Sequence, residues 1–350
     1  MRKSASAHCL YLTIDIMTYA SITQNIYNDN KKTYKAGKKR VKWVLFSAAL
    51  CLAFINFLGY IIRYPISLVV PHVEKVMPLS TFSLLLSMAM YIFCLVVPFG
   101  ISMIFCREKI KAVFPIKPRL TKNPIGYTLF VFGICLLFNL AMNFLFPWYR
   151  EIFVSESEIY ESTVDIILNF VSIAILPAIF EELVFRGICI SCLRPMGTRF
   201  AVVVSAIIFG LSHVDPLQSM FAFLFGLLIG GAFVATGSIW PGVILHFFNN
   251  AVSVLLGYGH DAVVYVLSVL IWGALIYSLI YLYKFSKLPG RFPIFVKSER
   301  EDLLTGSGFT PVRALFSNAW TYMFAVVYFM ALIIRFFPEF FNVFAFLLGK

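Results

Sequence analysis

The stretch Pro177-Ala-Ile-Phe-Glu181-Glu182-Leu-Val-Phe-Arg186-Gly187 places two adjacent carboxylates and a guanidinium inside an otherwise apolar segment. A charged side chain near the centre of a bilayer costs at least a few kcal/mol, so such residues face a protein interior or a water-filled cavity. Glu182 and Arg186 are four residues apart, a spacing that lets them pair on one face of a helix. Glu181 lies about 100° from Glu182 around that helix, so it is free to face a cavity.

The composition of the whole chain is that of a membrane protein. Hydrophobic residues make up 60% of its 350 residues, and charged residues only 13%. Long apolar runs without two-residue alternation indicate helices rather than barrel strands, because backbone polar groups must be hydrogen-bonded inside hydrocarbon. The sequence therefore predicts an all-α polytopic membrane protein with about eight or nine transmembrane helices. The predicted spans are residues 43–62, 82–105, 124–146, 164–190, 200–214, 219–236, 239–257, 262–283 and 315–335.

The net charge of +12 follows membrane topology rather than a nucleic-acid surface. With the N-terminus in the cytoplasm, 23 Lys and Arg residues fall in cytoplasmic segments and 5 in the opposite loops and the C-terminal end. This asymmetry is a positive-inside signal. We therefore expect a multi-pass protein of the cell membrane with a cytoplasmic N-terminus, embedded in a lipid bilayer and without a nucleic-acid partner.

Four parts of the chain differ in character. Residues 1–42 form a basic N-terminal tail, which we expect to be cytoplasmic and flexible. Residues 43–146 hold three predicted transmembrane helices that contain no Asp, Glu, Lys, Arg or His. The predicted helices that contain such side chains well inside the span lie in residues 164–257. Residues 258–350 contain the last transmembrane helices and a basic cytoplasmic linker.

The ionisable residues well inside the spans are confined to three helices. If the fourth and fifth spans form a hairpin that turns near Gly197, Glu181 and His213 each lie sixteen residues from the turn, at similar depth. His246 and Asn250 are four apart and share a face of the seventh span. Pro177 removes one helical hydrogen bond and is expected to open space beside the carboxylates. The three helices can therefore present a carboxylate, two imidazoles and a carboxamide to one cavity.

Two kinds of chemistry fit this set of side chains. Glu181 and His213 could hold and deprotonate a water, since a carboxylate in a low-dielectric site is a good base near neutral pH. His246 and Asn250 could then donate hydrogen bonds to the oxyanion of a scissile carbonyl. Alternatively, Glu181, His213 and His246 could be zinc ligands that leave one position open for water. A proton-coupled transporter is a competing class, because buried carboxylates and histidines also relay protons.

These residues resemble the motifs of a known family, the CPBP family of CAAX prenyl proteases and bacteriocin-processing (Abi) intramembrane proteases. The likeness covers about residues 164–257, in the order of the family's motifs. The matching segments are Glu181-Glu182-Leu-Val-Phe-Arg186, Phe209-Gly-Leu-Ser-His213 and His246-Phe-Phe-Asn-Asn250. The resemblance implies that residues 164–257 are a CPBP-type catalytic transmembrane core. It also implies an intramembrane endopeptidase.

The resemblance implies a role for each matching residue. Glu181 would be the catalytic base and His213 would assist the water, while His246 and Asn250 would stabilise the oxyanion. A second group, Glu182 with Arg186, would organise the site.

The resemblance leaves more than one alternative for the cofactor and for the substrate. The family has been assigned both a metal-dependent mechanism, with a divalent ion such as zinc, and a metal-independent glutamate mechanism. Its substrates are membrane-associated peptides or proteins, such as prenylated tails or the precursors of bacteriocins and pheromones. Some members are implicated in bacteriocin immunity, so a non-catalytic immunity or scaffold protein is a further alternative.

Overall fold

The structure is a computed structural model that describes residues 2–113, 124–145, 160, 162–258, 261–286 and 310–337. These residues form eleven helices and no strand. The helices are α1 (Arg2–Val73), α2 (Leu79–Cys106), α3 (Ile110–Val113), α4 (Pro124–Leu145), α5 (Thr163–Met196), α6 (Thr198–Leu211), α7 (Pro216–Thr236), α8 (Trp240–Gly257), α9 (Asp261–Ser286), α10 (Pro311–Phe316) and α11 (Ala319–Phe336).

The predicted class is confirmed, and each predicted span overlaps one of these helices. Within the described residues, six helical segments are long and apolar enough to cross a bilayer, and three shorter helices are also apolar. The protein is therefore a multi-pass, all-α membrane protein. Most of the cytoplasmic linker that the sequence predicts between the last two spans lies outside the described residues.

The N-terminal tail differs from the prediction, because α1 runs without interruption from Arg2 to Val73. No proline precedes Pro65, and Gly37 is the first glycine, so the sequence does not break the helix earlier. At 1.5 Å per residue the helix is about 108 Å long, far more than the roughly 30 Å of a hydrocarbon core. Part of the predicted tail packs on the protein, since a Cβ at Gly37 would lie 1.8 Å from Sδ of Met196.

Helix α5 carries the glutamate doublet and is not a uniform α-helix. Two π-helical segments, Val171–Ile175 and Glu182–Ile190, flank the α-helical segment Leu176–Glu181. Pro177 is the second residue of that middle segment. Its missing N–H is the disturbance that the sequence predicts, and widened turns on both sides accommodate it.

The hairpin predicted at Gly197 is confirmed, but its second arm is shorter than predicted. Gly197 has φ 127°, which suits a residue without a side chain, and links α5 directly to α6. Helix α6 ends at Leu211, so His213 lies in the turn after it. The cause is the start signal of α7, where the Asp215 carboxylate accepts from the Gln218 N–H at 2.8 Å and Pro216 is the first helical residue.

Three polar contacts tie outer helices to the rest of the protein. Asp165, at the start of α5, accepts hydrogen bonds from Ser80 and Thr81 at the start of α2, at 2.7 and 2.6 Å. Arg335 of α11 pairs with Asp215 at 3.1 Å. At the other end of the bundle, Arg40 of α1 forms an ion pair with Glu108, which follows α2. These contacts hold α1, α2 and α11 around the hairpin.

Helices α6 and α7 approach closely at a glycine, which yields a first prediction. A Cβ at Gly210 would lie 2.7 Å from the Ser219 carbonyl oxygen and 3.0 Å from Cβ of Phe223. We expect Gly210→Ala to destabilise the protein by about 1–3 kcal/mol through overpacking, seen as a lower melting temperature in detergent. Gly100→Ala is the matched control, because its Cβ meets nothing within 4 Å. Equal melting temperatures for the two variants would contradict this close approach.

Candidate active site

Both glutamates of the doublet contact one imidazole on α8. His246 lies with Nδ1 3.1 Å from Oε1 of Glu182 and with Nε2 3.6 Å from Oε2 of Glu181. The imidazole is 5% exposed, so these two carboxylates rather than bulk water are the polar neighbours of its ring nitrogens. The motif that contains Glu181 and Glu182 therefore meets the motif that begins at His246 through the imidazole of that histidine.

Glu182 is shared between His246 and Arg186. Its Oε1 lies 3.0 Å from Nη1 of Arg186, and both side chains are almost fully buried. The pairing that the four-residue spacing predicts is thus present. Gly242 makes room for the carboxylate, because a Cβ there would lie 2.4 Å from Oε2 of Glu182. As an ionised carboxylate only accepts hydrogen bonds, Glu182 accepts one from the Nδ1–H of His246, which fixes the orientation of that ring.

Glu181 has a different environment for each of its oxygens. The hydroxyl of Tyr91, on α2, donates to Oε1 at 2.5 Å. Oε2 is buried and has no hydrogen-bond partner among the described residues. A buried carboxylate oxygen without a donor is an unsatisfied acceptor, which a water or a substrate group can occupy.

The ring of Phe209 is the common neighbour of the cationic and imidazole side chains. The Arg186 guanidinium carbon lies 4.4 Å from its centroid, a cation–π distance. His213 and His246 meet the same ring edge-on, at 5.1 and 6.0 Å between centroids. Phe209 is 1% exposed. Phe209 therefore packs against both histidines and against the arginine at the centre of the site.

His213 is oriented by its own backbone. Its Nδ1 lies 2.9 Å from the Phe209 carbonyl oxygen. Because a carbonyl oxygen only accepts, Nδ1 carries the proton, and Nε2 of the neutral ring is left as an acceptor. The turn after α6 thus presents His213 in the tautomer that can receive a proton from water. A direct contact with Glu181, which the shared depth suggested, is not among the contacts of the described residues.

Asn250 contacts the backbone of the glutamate helix. Its Nδ2 donates to the carbonyl oxygen of Ile173 at 2.9 Å. In an α-helix that carbonyl would receive the N–H of the residue four positions later, which is Pro177 and has none. Asn249 in turn donates to Oδ1 of Asn250 at 3.1 Å. Asn250, which the sequence suggests as an oxyanion donor, therefore also donates to the backbone carbonyl that Pro177 cannot reach with an N–H.

The zinc alternative requires Glu181, His213 and His246 to converge on one point. Within the described residues, no group of three His, Cys, Asp or Glu side chains is placed to hold a metal ion. His213 faces Phe209 with Nδ1, while His246 has both ring nitrogens near carboxylates. The side chains as arranged do not form that ligand set, so no step below is routed through a metal.

Sequence reasoning missed Tyr91. It lies ninety positions before Glu181, on a predicted span without Asp, Glu, Lys, Arg or His, and no motif surrounds it. Spacing rules identify partners on the same helix, whereas this contact depends on how α2 packs against α5. The available signal was that Tyr91 is the one tyrosine of α2, a polar hydroxyl in an apolar helix.

The buried ion pair gives the second prediction. We expect Arg186→Met to destabilise the protein by about 3–5 kcal/mol, because it leaves the Glu182 charge buried without its cation. The double variant Glu182→Gln with Arg186→Met should recover much of this loss, since both charges are removed together. Thermal unfolding of each variant in detergent measures the difference. A double variant less stable than Arg186→Met alone would contradict the pairing.

Comparison with known proteins agrees with this geometry. Residues 163–252, about a quarter of the chain, match the family model described as type II CAAX prenyl endopeptidase Rce1-like. No curated protein and no solved structure matches the chain. The matched segment begins with α5 and includes the hairpin, α7 and most of α8, and thus all six residues singled out by the sequence. This segment is therefore similar to the Rce1-like family of CAAX prenyl endopeptidases.

Proposed function

We propose that the protein is an intramembrane endopeptidase that hydrolyses a peptide bond in a membrane-associated peptide or protein, with Glu181 activating the water. The observation that carries this proposal is the free Oε2 of Glu181, buried and 3.6 Å from Nε2 of His246. It lies in the segment that matches a family of endopeptidases. An unoccupied acceptor beside an imidazole is what a water nucleophile needs.

In the proposed reaction, Oε2 of Glu181 accepts one proton from water as the water oxygen attacks the scissile carbonyl carbon. The carbonyl π electrons move to oxygen, which becomes the oxyanion of a tetrahedral intermediate. When that intermediate collapses, the C–N bond breaks and the proton held by Glu181 passes to the leaving amine. Atoms and charge balance without another reactant. A properly placed general base contributes typically about 10²–10⁴-fold to such a step.

The two histidines have different tasks in this scheme. His213 offers Nε2 as an acceptor, which orients the second hydrogen of the water. His246 donates a hydrogen bond from Nδ1 to Glu182, so its Nε2 can donate to the oxyanion only when the ring carries a second proton. Each of the two ring nitrogens lies near a carboxylate of the doublet.

Asn250 is the second proposed oxyanion donor. Its Nδ2 has two hydrogens, and the contact with Ile173 uses one of them. The other is available to a substrate carbonyl. The contact with Ile173 would restrain the carboxamide before the substrate arrives, which is the preorganisation that makes oxyanion donors effective.

The substrate class follows from the family description and the topology. Among the substrates considered, the matched description favours a prenylated tail over a bacteriocin or pheromone precursor. We place the protein in the cell membrane with its N-terminus in the cytoplasm, as the distribution of Lys and Arg indicates. Neither a proton-coupled transporter nor a non-catalytic immunity or scaffold protein gains a specific observation from the described residues.

The proposal is tested by replacing the base. We expect Glu181→Gln to lower kcat at least about 10³-fold, because the amide keeps the shape but cannot accept the proton. Purified protein in liposomes, assayed with a farnesylated peptide ending in Cys-aliphatic-aliphatic-X, measures cleavage. Glu74→Gln is the matched control, since Glu74 is exposed beyond the end of α1. Undiminished cleavage by Glu181→Gln would overturn the proposed mechanism.

A further prediction concerns Asn250. We expect Asn250→Ala to lower kcat by about 10²–10³-fold, the usual cost of an oxyanion donor. Asn169→Ala is the matched control, because Asn169 donates to the hydroxyl of Tyr258 at 3.3 Å and so also joins α5 to the end of α8. It should keep the wild-type kcat. If the two variants lose the same small fraction of activity, Asn250 acts only as a link between the helices.

A further inference from the structure

Tyr91 contacts the proposed base from a helix outside the matched segment. Its hydroxyl donates to Oε1 of Glu181 at 2.5 Å, from the middle of α2. A hydrogen bond to a carboxylate is charge-assisted and roughly twice as strong as one between neutral groups. The contact therefore restrains the side chain of Glu181 more firmly than apolar packing alone would.

The geometry of Glu181 separates the tasks of its two oxygens. Tyr91 occupies Oε1, whereas Oε2 has no hydrogen-bond partner among the described residues and lies near His246. Rotation of the carboxylate would place either oxygen next to the imidazole. With the hydroxyl bound to one of them, only the other remains available for the water.

We propose that Tyr91 is a positioning residue that fixes the rotamer of Glu181, so that Oε2 is the oxygen that accepts the proton of the water. This inference rests on the proposed function and adds a residue to its machinery. Tyr91 itself touches neither water nor substrate in this scheme. It acts through Glu181, and the site is incomplete without α2.

A purely structural role is the competing explanation, and other contacts between the two helices weigh against it. At the start of the helices, Thr81 of α2 donates to Asp165 of α5 at 2.6 Å. Deeper in the bundle, the rings of Phe99 and Phe185 meet edge-on at 5.5 Å. These two contacts lie on either side of Tyr91 along α2. The helices are thus held together on both sides of Tyr91, and its hydroxyl is not needed to dock them.

The experiment compares Tyr91→Phe with Thr81→Val. Each substitution removes one hydroxyl of α2 that donates a hydrogen bond to a carboxylate of α5, and each nearly preserves the size of the side chain. Both variants are reconstituted in liposomes with the farnesylated Cys-aliphatic-aliphatic-X peptide, and kcat and KM are measured separately. We expect Tyr91→Phe to lower kcat about tenfold with an unchanged KM, because only positioning of the base is lost. Thr81→Val should lower the melting temperature and leave kcat unchanged.

The outcomes separate this inference from the proposed function. Wild-type cleavage with the same kcat in Tyr91→Phe would overturn the role of Tyr91 and leave the endopeptidase proposal intact. Equal losses of kcat in Tyr91→Phe and Thr81→Val would show that both hydroxyls act by docking α2, which also overturns it. A wild-type protein that does not cleave the reporter, with Glu181→Gln as the blank, overturns the proposed function and this role together.

Discussion

A fixed charge buried inside a membrane protein must find its partners within the protein, and this constraint organises the centre of the fold. Arg186 is 1% exposed and lies between the Glu182 carboxylate and the face of Phe209. An isolated charge in such surroundings would cost several kcal/mol. Helices α5 and α6 therefore meet at the guanidinium, because α5 supplies the carboxylate and α6 the aromatic ring, while α8 contacts the same carboxylate through His246. The histidine beside Glu181 is positioned as a consequence of this arrangement.

The pair also explains why Oε2 of Glu181 can stay without a hydrogen-bond partner next to it. Glu182 neutralises Arg186 and orients His246, so Glu181 is not needed for either task. Its remaining oxygen can stay without a protein partner. Oε2 of each glutamate lacks a hydrogen-bond partner among the described residues, but the two oxygens have different neighbours. Oε2 of Glu182 packs against Gly242, whereas Oε2 of Glu181 lies 3.6 Å from Nε2 of His246.

Contacts within one helix, or set by one turn, could be predicted from the sequence. The Glu182–Arg186 pair and the hairpin at Gly197 follow from spacing and from a glycine with positive φ. The helix limits were less predictable: residues 2–42 are helical because nothing in them breaks a helix, and α6 ends early because Asp215 and Pro216 start the next helix. Contacts between distant helices could not be predicted, because no single spacing encodes the packing of α2 or the donation from Asn250 to Ile173.

The hydroxyl of Tyr91 lies outside the segment that matches the family model, although it contacts the proposed base. Residues 163–252 contain every motif, but an excised piece with those limits would leave Oε1 of its first glutamate unsatisfied and would expose the apolar surface that α2 covers. The limits of the matched segment are therefore not the limits of the group of helices that surrounds Glu181. A design that moves the motif-bearing helices into another membrane protein would therefore have to include α2, although α2 carries no recognisable motif.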